Sequence, residues 1–178
     1  KRGGKGLTAM NTREDDFVEQ LFITSTHDYI MFFTNKGKVY RLKAYELPEA
    51  SRTAKGTAIV NLLQLAQGEK VTAVMPVTDF NDDSLYVLMA TSNGLIKKTK
   101  LSEYSNIRKT GIQAITLKED DELIDVRLTD GNNDIIMVTK EGLSIRFKEE
   151  EVRAVGRTSM GVKGIALGKE DKVVGMEP

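Results

Sequence analysis

Apolar and polar positions along this chain fall into short runs broken by turns, and one arrangement of them recurs. Residues 30–43 read IMFFTNKGKVYRLK, an apolar run, a Thr-x-x-Gly turn and a second strand carrying cations. The same order returns at 85–100, LYVLMATSNGLIKKTK, and at 135–148, IIMVTKEGLSIRFK. Each copy has Thr three residues before a Gly: Thr34 and Gly37, Thr91 and Gly94, Thr139 and Gly142. Runs this short, rich in β-branched and aromatic residues and closed by Gly, Asn or Asp, predict strands at 17–26, 29–34, 38–42, 71–77, 86–91, 95–99, 123–128, 135–139, 143–147 and 173–176. Brief helical turns are expected at 44–47, 101–104 and 148–152. The strand before each Gly is almost continuously apolar, which predicts burial on both faces.

A second element follows each hairpin. Basic loops ending in Gly stand at 52–56, 108–111 and 157–161, spaced 19, 17 and 19 residues after the hairpin Gly, and the chain opens on a similar loop at 1–6. An apolar strand starts 12 residues after the loop Gly at Val18, Leu123 and Val173, with Val71 displaced by a three-residue insertion. Hairpin, basic loop, acidic turn and strand thus occur three times after a half-unit, giving repeats at about 1–28, 29–78, 79–130 and 131–178. Repeats of roughly 40–50 residues built from short strands predict a radial all-β array of four-stranded antiparallel blades within a single domain, a β-propeller or β-pinwheel.

Charge sharpens this picture. The chain is neutral overall, with 26 basic and 26 acidic side chains. The three segments 34–43, 91–100 and 139–148 and the four basic loops nevertheless hold 18 of the 26 Lys and Arg and only one acid, Glu141. The fourth and sixth residues after each hairpin Gly are basic: Arg41 and Lys43, Lys98 and Lys100, Arg146 and Lys148. Alternation along a strand puts the two members of each pair on one face, roughly 6–7 Å apart. The acids collect at 14–16, 82–83, 119–122, 149–151 and 170–171. One cationic rim and one anionic side are expected; the plainer alternative is that each charged run is only a solvated face.

Little else suggests chemistry. Cys is absent and His27 is the sole histidine, so no metal centre, thiol nucleophile or His-based triad is expected. Residues 79–83 begin like a calcium loop but lack its Gly and closing Glu, and residues 3–6 lack the Walker spacing. Met31, Met89, Met137 and Met176 sit in apolar runs and read as core. The longest apolar run is about six residues, far below the ~20 of a membrane helix, and no signal peptide is legible, so a cytoplasmic location is expected.

The opening Lys1-Arg2-Gly3-Gly4-Lys5-Gly6 resembles the box motif in the C-terminal domain of the bacterial DNA gyrase A protein, Gln-basic-basic-Gly-Gly-basic-Gly, without its leading Gln. Residues 32–42, FFTNKGKVYRL, then 45–52, YELPEASR, and 59–63, IVNLL, are similar to later parts of that domain. The resemblance covers essentially the whole chain. It implies a six-bladed closed pinwheel of which this sequence holds about three and a half to four blades, and a duplex wrapped around the basic rim and handed to a strand-passage core for negative supercoiling. The DNA-contacting residues it implies, together with the rim pattern, are Lys1, Arg2, Gly3, Gly4, Lys5, Gly6, Lys38, Arg41, Lys43, Arg52, Lys55, Lys97, Lys98, Lys100, Arg108, Lys109, Arg146, Lys148 and Arg157. Partners would be double-stranded DNA and, in the complete enzyme, the gyrase B protein and the N-terminal part of the gyrase A protein. ATP and Mg²⁺ belong to that enzyme, with no cofactor and no catalytic residue here. Two other readings stay open: the corresponding domain of topoisomerase IV, which the near-complete box disfavours, and a propeller used for protein–protein contact.

Overall fold

The computed structural model describes residues 28–46 and 63–178. The expected strand at 17–26, the opening box with Lys1, Arg2, Gly3, Gly4, Lys5 and Gly6, and the loop with Arg52 and Lys55 lie outside the described residues.

Among the described residues, eleven strands run in chain order: β1 Tyr29–Thr34, β2 Lys38–Lys43, β3 Val71–Val77, β4 Tyr86–Thr91, β5 Leu95–Lys100, β6 Ile112–Gln113, β7 Leu123–Thr129, β8 Asp134–Thr139, β9 Ser144–Lys148, β10 Val162–Lys163 and β11 Val173–Glu177. The expected helical turns are 3₁₀ turns at Ala44–Glu46, Leu101–Tyr104 and Glu149–Glu151. Three antiparallel sheets result, in the orders β3-β1-β2-β6, β10-β5-β4-β7 and β11-β8-β9. The Thr-x-x-Gly hairpins share one bonding pattern: the Gly37, Gly94 and Gly142 amides donate to the Thr34, Thr91 and Thr139 carbonyls at 3.0, 3.1 and 3.1 Å.

The order of the strands interlocks the units. β6 follows the basic loop of the second unit but pairs with β2 of the first blade, Lys38 opposite Gln113 and Val39 opposite Ile112. β10 does the same one unit later, Val162 opposite Ile96 and Lys163 opposite Leu95 on β5. The basic loops at 108–111 and 157–161 are therefore delivered to the outer edge of the preceding blade. These two-residue strands were not among the expected ones. Gly111 and Gly161 make the delivery possible: both have positive φ, and a Cβ on Gly111 would stand 2.6 Å from the Tyr40 ring, one on Gly161 2.7 Å from the Ile96 carbonyl.

Blades stack face to face through alternate residues of their middle strands. Met31 and Phe33 of β1 meet Val87 and Met89 of β4 in one cluster. Leu88 and Ala90 of β4 meet Ile135 and Met137 of β8 in the next. Ile30 and Phe32 turn the other way, onto Tyr40, Leu42 and Leu63. Burial on both faces thus holds for β1 and β4, while Ile136 and Val138 of β8 are exposed. Met31, Met89, Met137 and Met176 are all in the core.

The acidic turns are not simply an anionic side. Glu69, Asp121 and Asp171 are buried and clip each hairpin turn to the strand that follows. Glu69 accepts from the Thr34 and Tyr40 hydroxyls at 2.6 and 2.9 Å. Asp121 accepts from the Ser92 hydroxyl and the Asn93 amide, both at 2.9 Å, and Asp171 from the Glu141 amide at 3.0 Å. Glu149, the first of the acidic run at 149–151, is also buried and takes bonds from Thr129 and Asn133. A buried carboxylate is tolerated only with such donors.

Candidate nucleic-acid interface

The outer strand of each blade presents its cations in two distinct ways. Lys43, Lys100 and Lys148, the sixth residues after the hairpin Gly, are exposed at the ends of β2, β5 and β9. The fourth residues of the first two blades are pegs, and that of the third is an exposed ion pair. Arg41 is half-buried, lies 4.9 Å from the Tyr29 ring and 5.7 Å from that of Phe80, and donates to the Ser105 carbonyl of the next unit at 2.9 Å. Lys98 lies 4.7 Å from the Tyr86 ring, donates to the Glu149 carbonyl of the next unit at 3.3 Å, and is buried. Arg146 is exposed and paired with Asp134, its Nε donating at 3.2 Å. The hydrogen bond and positive charge of Arg146 hold the Asp134 carboxyl below the usual carboxylate range. Tyr29, Tyr86 and Asp134 open equivalent strands, so the fourth-position cation meets the same place in every blade.

In the first two blades the expected pair is therefore corrected to one exposed lysine plus a peg, while in the third Arg146 and Lys148 are both exposed, Arg146 paired with Asp134. Lys97 is corrected further. It is 1% exposed and points inward, donating to the Ala114 and Arg157 carbonyls, and burial pushes its amine down to about 7. Neither Lys97 nor Lys98 is placed to touch a duplex.

The loops contribute the rest. Arg108 and Lys109 are exposed beside the outer edge of the first blade. Lys38 is half-buried, its Nζ donating to the Thr110 carbonyl at 3.3 Å and lying 5.6 Å from the Tyr40 ring. Arg157 is held by its backbone amide, which donates to Glu103 at 2.8 Å, and by its guanidinium, which donates to the Gln113 carbonyl. Arg41, Arg108 and Arg157 together line a groove of about 540 Å³ with Asn106, Gln113 and Thr158. A second groove carries Lys43 and Lys109 with Tyr45, whose ring is 79% exposed and 5.7 Å from the Lys43 amine. Gly111 and Gly161 approach the preceding blade.

Sequence reasoning missed Tyr45 and the groove itself, because convergence of residues 41, 108 and 157 depends on β6 and β10 crossing between blades. No group of three or more His, Cys, Asp or Glu among the described residues could hold a metal. What the geometry offers is a string of exposed cations with close positive neighbours, suited to anions spaced along a surface.

The model of the DNA gyrase C-terminal domain, a beta-propeller, matches residues 1–25, 28–78, 85–130 and 133–178. The chain belongs to the DNA gyrase C-terminal domain family. It is 58% identical over 92% of its length to the DNA gyrase A protein of Clostridium acetobutylicum and 48% identical over 99% to that of Escherichia coli K12. It spans about a fifth of those relatives, 20% of each. Among solved structures, the C-terminal domain of a DNA topoisomerase IV superposes with TM-score 0.78 at 37% identity, covering 85% of this chain and 47% of that one. A DNA gyrase A C-terminal domain superposes with TM-score 0.68 at 26% identity and the same coverage. Residues 1–25 are part of the family match, so the opening box falls within it. Among the described residues no helix is long and apolar enough to cross a membrane.

Proposed function

We propose that this chain is a DNA-wrapping module of a gyrase A protein, cytoplasmic, binding duplex through the phosphates along its blade edges. The observation that carries this is the recurrence of one exposed lysine at the same strand end in three blades, Lys43, Lys100 and Lys148, with Arg108 and Lys109 beside it. Cations placed by repeat rather than around a pocket suit a rod-like polyanion, and contacts to phosphate position without reading bases. Sharp bending of 20–30 base pairs costs on the order of 1–6 kcal/mol, which only many contacts in series offset. Sequence preference would then come from bendability. Lys1, Arg2, Lys5, Arg52 and Lys55 would extend the same track.

In the complete enzyme this module would deliver a bent duplex to the strand-passage core formed with the gyrase B protein, where ATP and Mg²⁺ act. No residue here is assigned a catalytic role. The topoisomerase IV reading is favoured by the superposition with that enzyme's C-terminal domain. Gyrase is favoured by the curated relatives and by residues 1–6. Closing a nicked plasmid with ligase in the presence of the chain distinguishes wrapping from plain binding: wrapping shifts the linking number of the product, and plain binding leaves it unchanged. Substituting Ala for Lys1, Arg2 and Lys5 removes that shift if the opening basic loop completes the wrap.

A further inference from the structure

Lys97 cannot reach a ligand, yet it sits behind the arginine groove. Its amino group donates to the carbonyl oxygens of Ala114 and Arg157, joining β5, the segment after β6 and the basic loop of the third unit. The rest of that loop is fastened to the second unit as well. The Arg157 amide donates to Glu103, its guanidinium to the Gln113 carbonyl, and the Thr116 hydroxyl to the Thr158 carbonyl. What the fastening presents is the Arg157 side chain, in one groove with Arg41 and Arg108. Three guanidiniums from three successive units have the fork geometry and permanent charge that suit a phosphate.

The groups that face Lys97 are few. Glu103, on the 3₁₀ turn after β5, favours its charged form, and Arg157 opposes it. The Tyr104 hydroxyl shares the Ala114 carbonyl at 3.0 Å. Desolvation outweighs Glu103 and brings the amine down to about 7, within reach of physiological pH. An anion seated on Arg157 offsets the positive charge that Lys97 feels. Charge on the lysine also strengthens its bonds to the two carbonyls.

We propose that Lys97 is a positioning residue for a duplex phosphate seated on Arg41, Arg108 and Arg157, and that seating this phosphate is coupled to uptake of a proton by Lys97. The inference rests on the duplex-binding reading above. Binding becomes tighter as pH falls through neutrality because the bound state holds more protons than the free one.

The test is calorimetry of the full chain with a 40-base-pair mixed-sequence duplex at pH 7.5, in two buffers of different ionisation heat, with affinities measured at pH 6.5 and 8.5 and over a salt series. The wild-type chain takes up a fraction of a proton and binds about threefold to tenfold more weakly at the higher pH. Lys97→Met abolishes the uptake and lowers the salt slope by about one, as Arg157→Gln does, because one phosphate contact is lost. The double variant is no weaker than either single one. Lys97→Arg, whose charge does not titrate, keeps the slope and loses the pH dependence. Should Lys97→Met fail to fold, Arg157→Gln carries the comparison, since it removes the pH dependence by the same route. Duplex binding without proton uptake, uptake that survives in Lys97→Met, or losses that add in the double variant each overturn the inference while leaving duplex binding intact. A wild-type chain that binds no duplex overturns both.

Discussion

Lys97 and Lys100 lie three residues apart on one strand and have opposite fates, one sealed between carbonyls and the other in solvent. Alternation puts Lys97 on the face opposite Lys98 and Lys100, yet Lys98 is buried as well, since the next unit covers β5 unevenly. Exposure is what assigns a binding role. Replacing Lys43, Lys100 and Lys148 together by Gln is expected to weaken duplex binding uniformly across sequences and to reduce the slope of log affinity against log salt by about 2.7, with stability changed by less than ~0.5 kcal/mol. Fluorescence anisotropy and urea unfolding check the two halves. Buried Lys97 also sets a pH dependence of stability. Its folded-state value of about 7 lies below that of the unfolded chain, so between about 7 and 10.5 the unfolded state binds more protons and stability rises with pH. Tyr40 and Tyr104 have the opposite sign: burial raises both, so the folded state keeps their protons and stability falls above about 10. Urea midpoints from pH 6 to 11 should therefore pass through a maximum between those limits, and Lys97→Met should flatten the rising limb.

At the level of elements, the long strands were legible because their signal is local: an apolar run, a Thr-x-x-Gly turn, a basic strand. Nine of the expected strand positions fall on β1 to β5, β7 to β9 and β11, and the tenth on residues outside the described set. β6 and β10 escaped because two residues are too few to show a period, although Gly111-Ile112-Gln113 and Gly161-Val162-Lys163 share their offset. The site was half legible for the same reason. Cation spacing announced Lys43, Lys100 and Lys148, whereas burial of Lys97, Lys98 and Glu149 follows from cross-blade packing that no single repeat displays. Asp121 and Asp171 were expected on an anionic side, and Glu69 was not singled out, for want of any sign in sequence of the hydroxyls and amides they accept from. Gly161 probes the crossing directly. Gly161→Ala adds a Cβ 2.7 Å from the Ile96 carbonyl at φ +95°, and is expected to cost about 1–3 kcal/mol and detach β10 from β5. Gly142→Ala, at φ +90° but with open space around it, should cost less. Amide exchange of Ile96 and Val162 beside urea unfolding distinguishes local fraying from global loss.

For the molecule as a whole, two of the three hydrophobic clusters among the described residues lie between blades, so the blades are not independent units. Met89 belongs to the cluster joining the first two sheets and Leu88 to the one joining the second and third. Met89→Ala and Leu88→Ala should each cost about 2–5 kcal/mol, and each should lower the single urea transition instead of releasing one blade. The same interlocking holds the edge lysines at fixed separations, which is what a duplex bent along successive blades requires. That claim is tested most directly by the affinity of the chain for a 40-base-pair mixed-sequence duplex over a range of salt concentrations. The account requires log affinity to fall linearly with log salt, with a slope steeper than about −3, and to lose about 0.9 of that slope for each edge lysine replaced. A slope near zero, or one that the lysine substitutions leave unchanged, would contradict it.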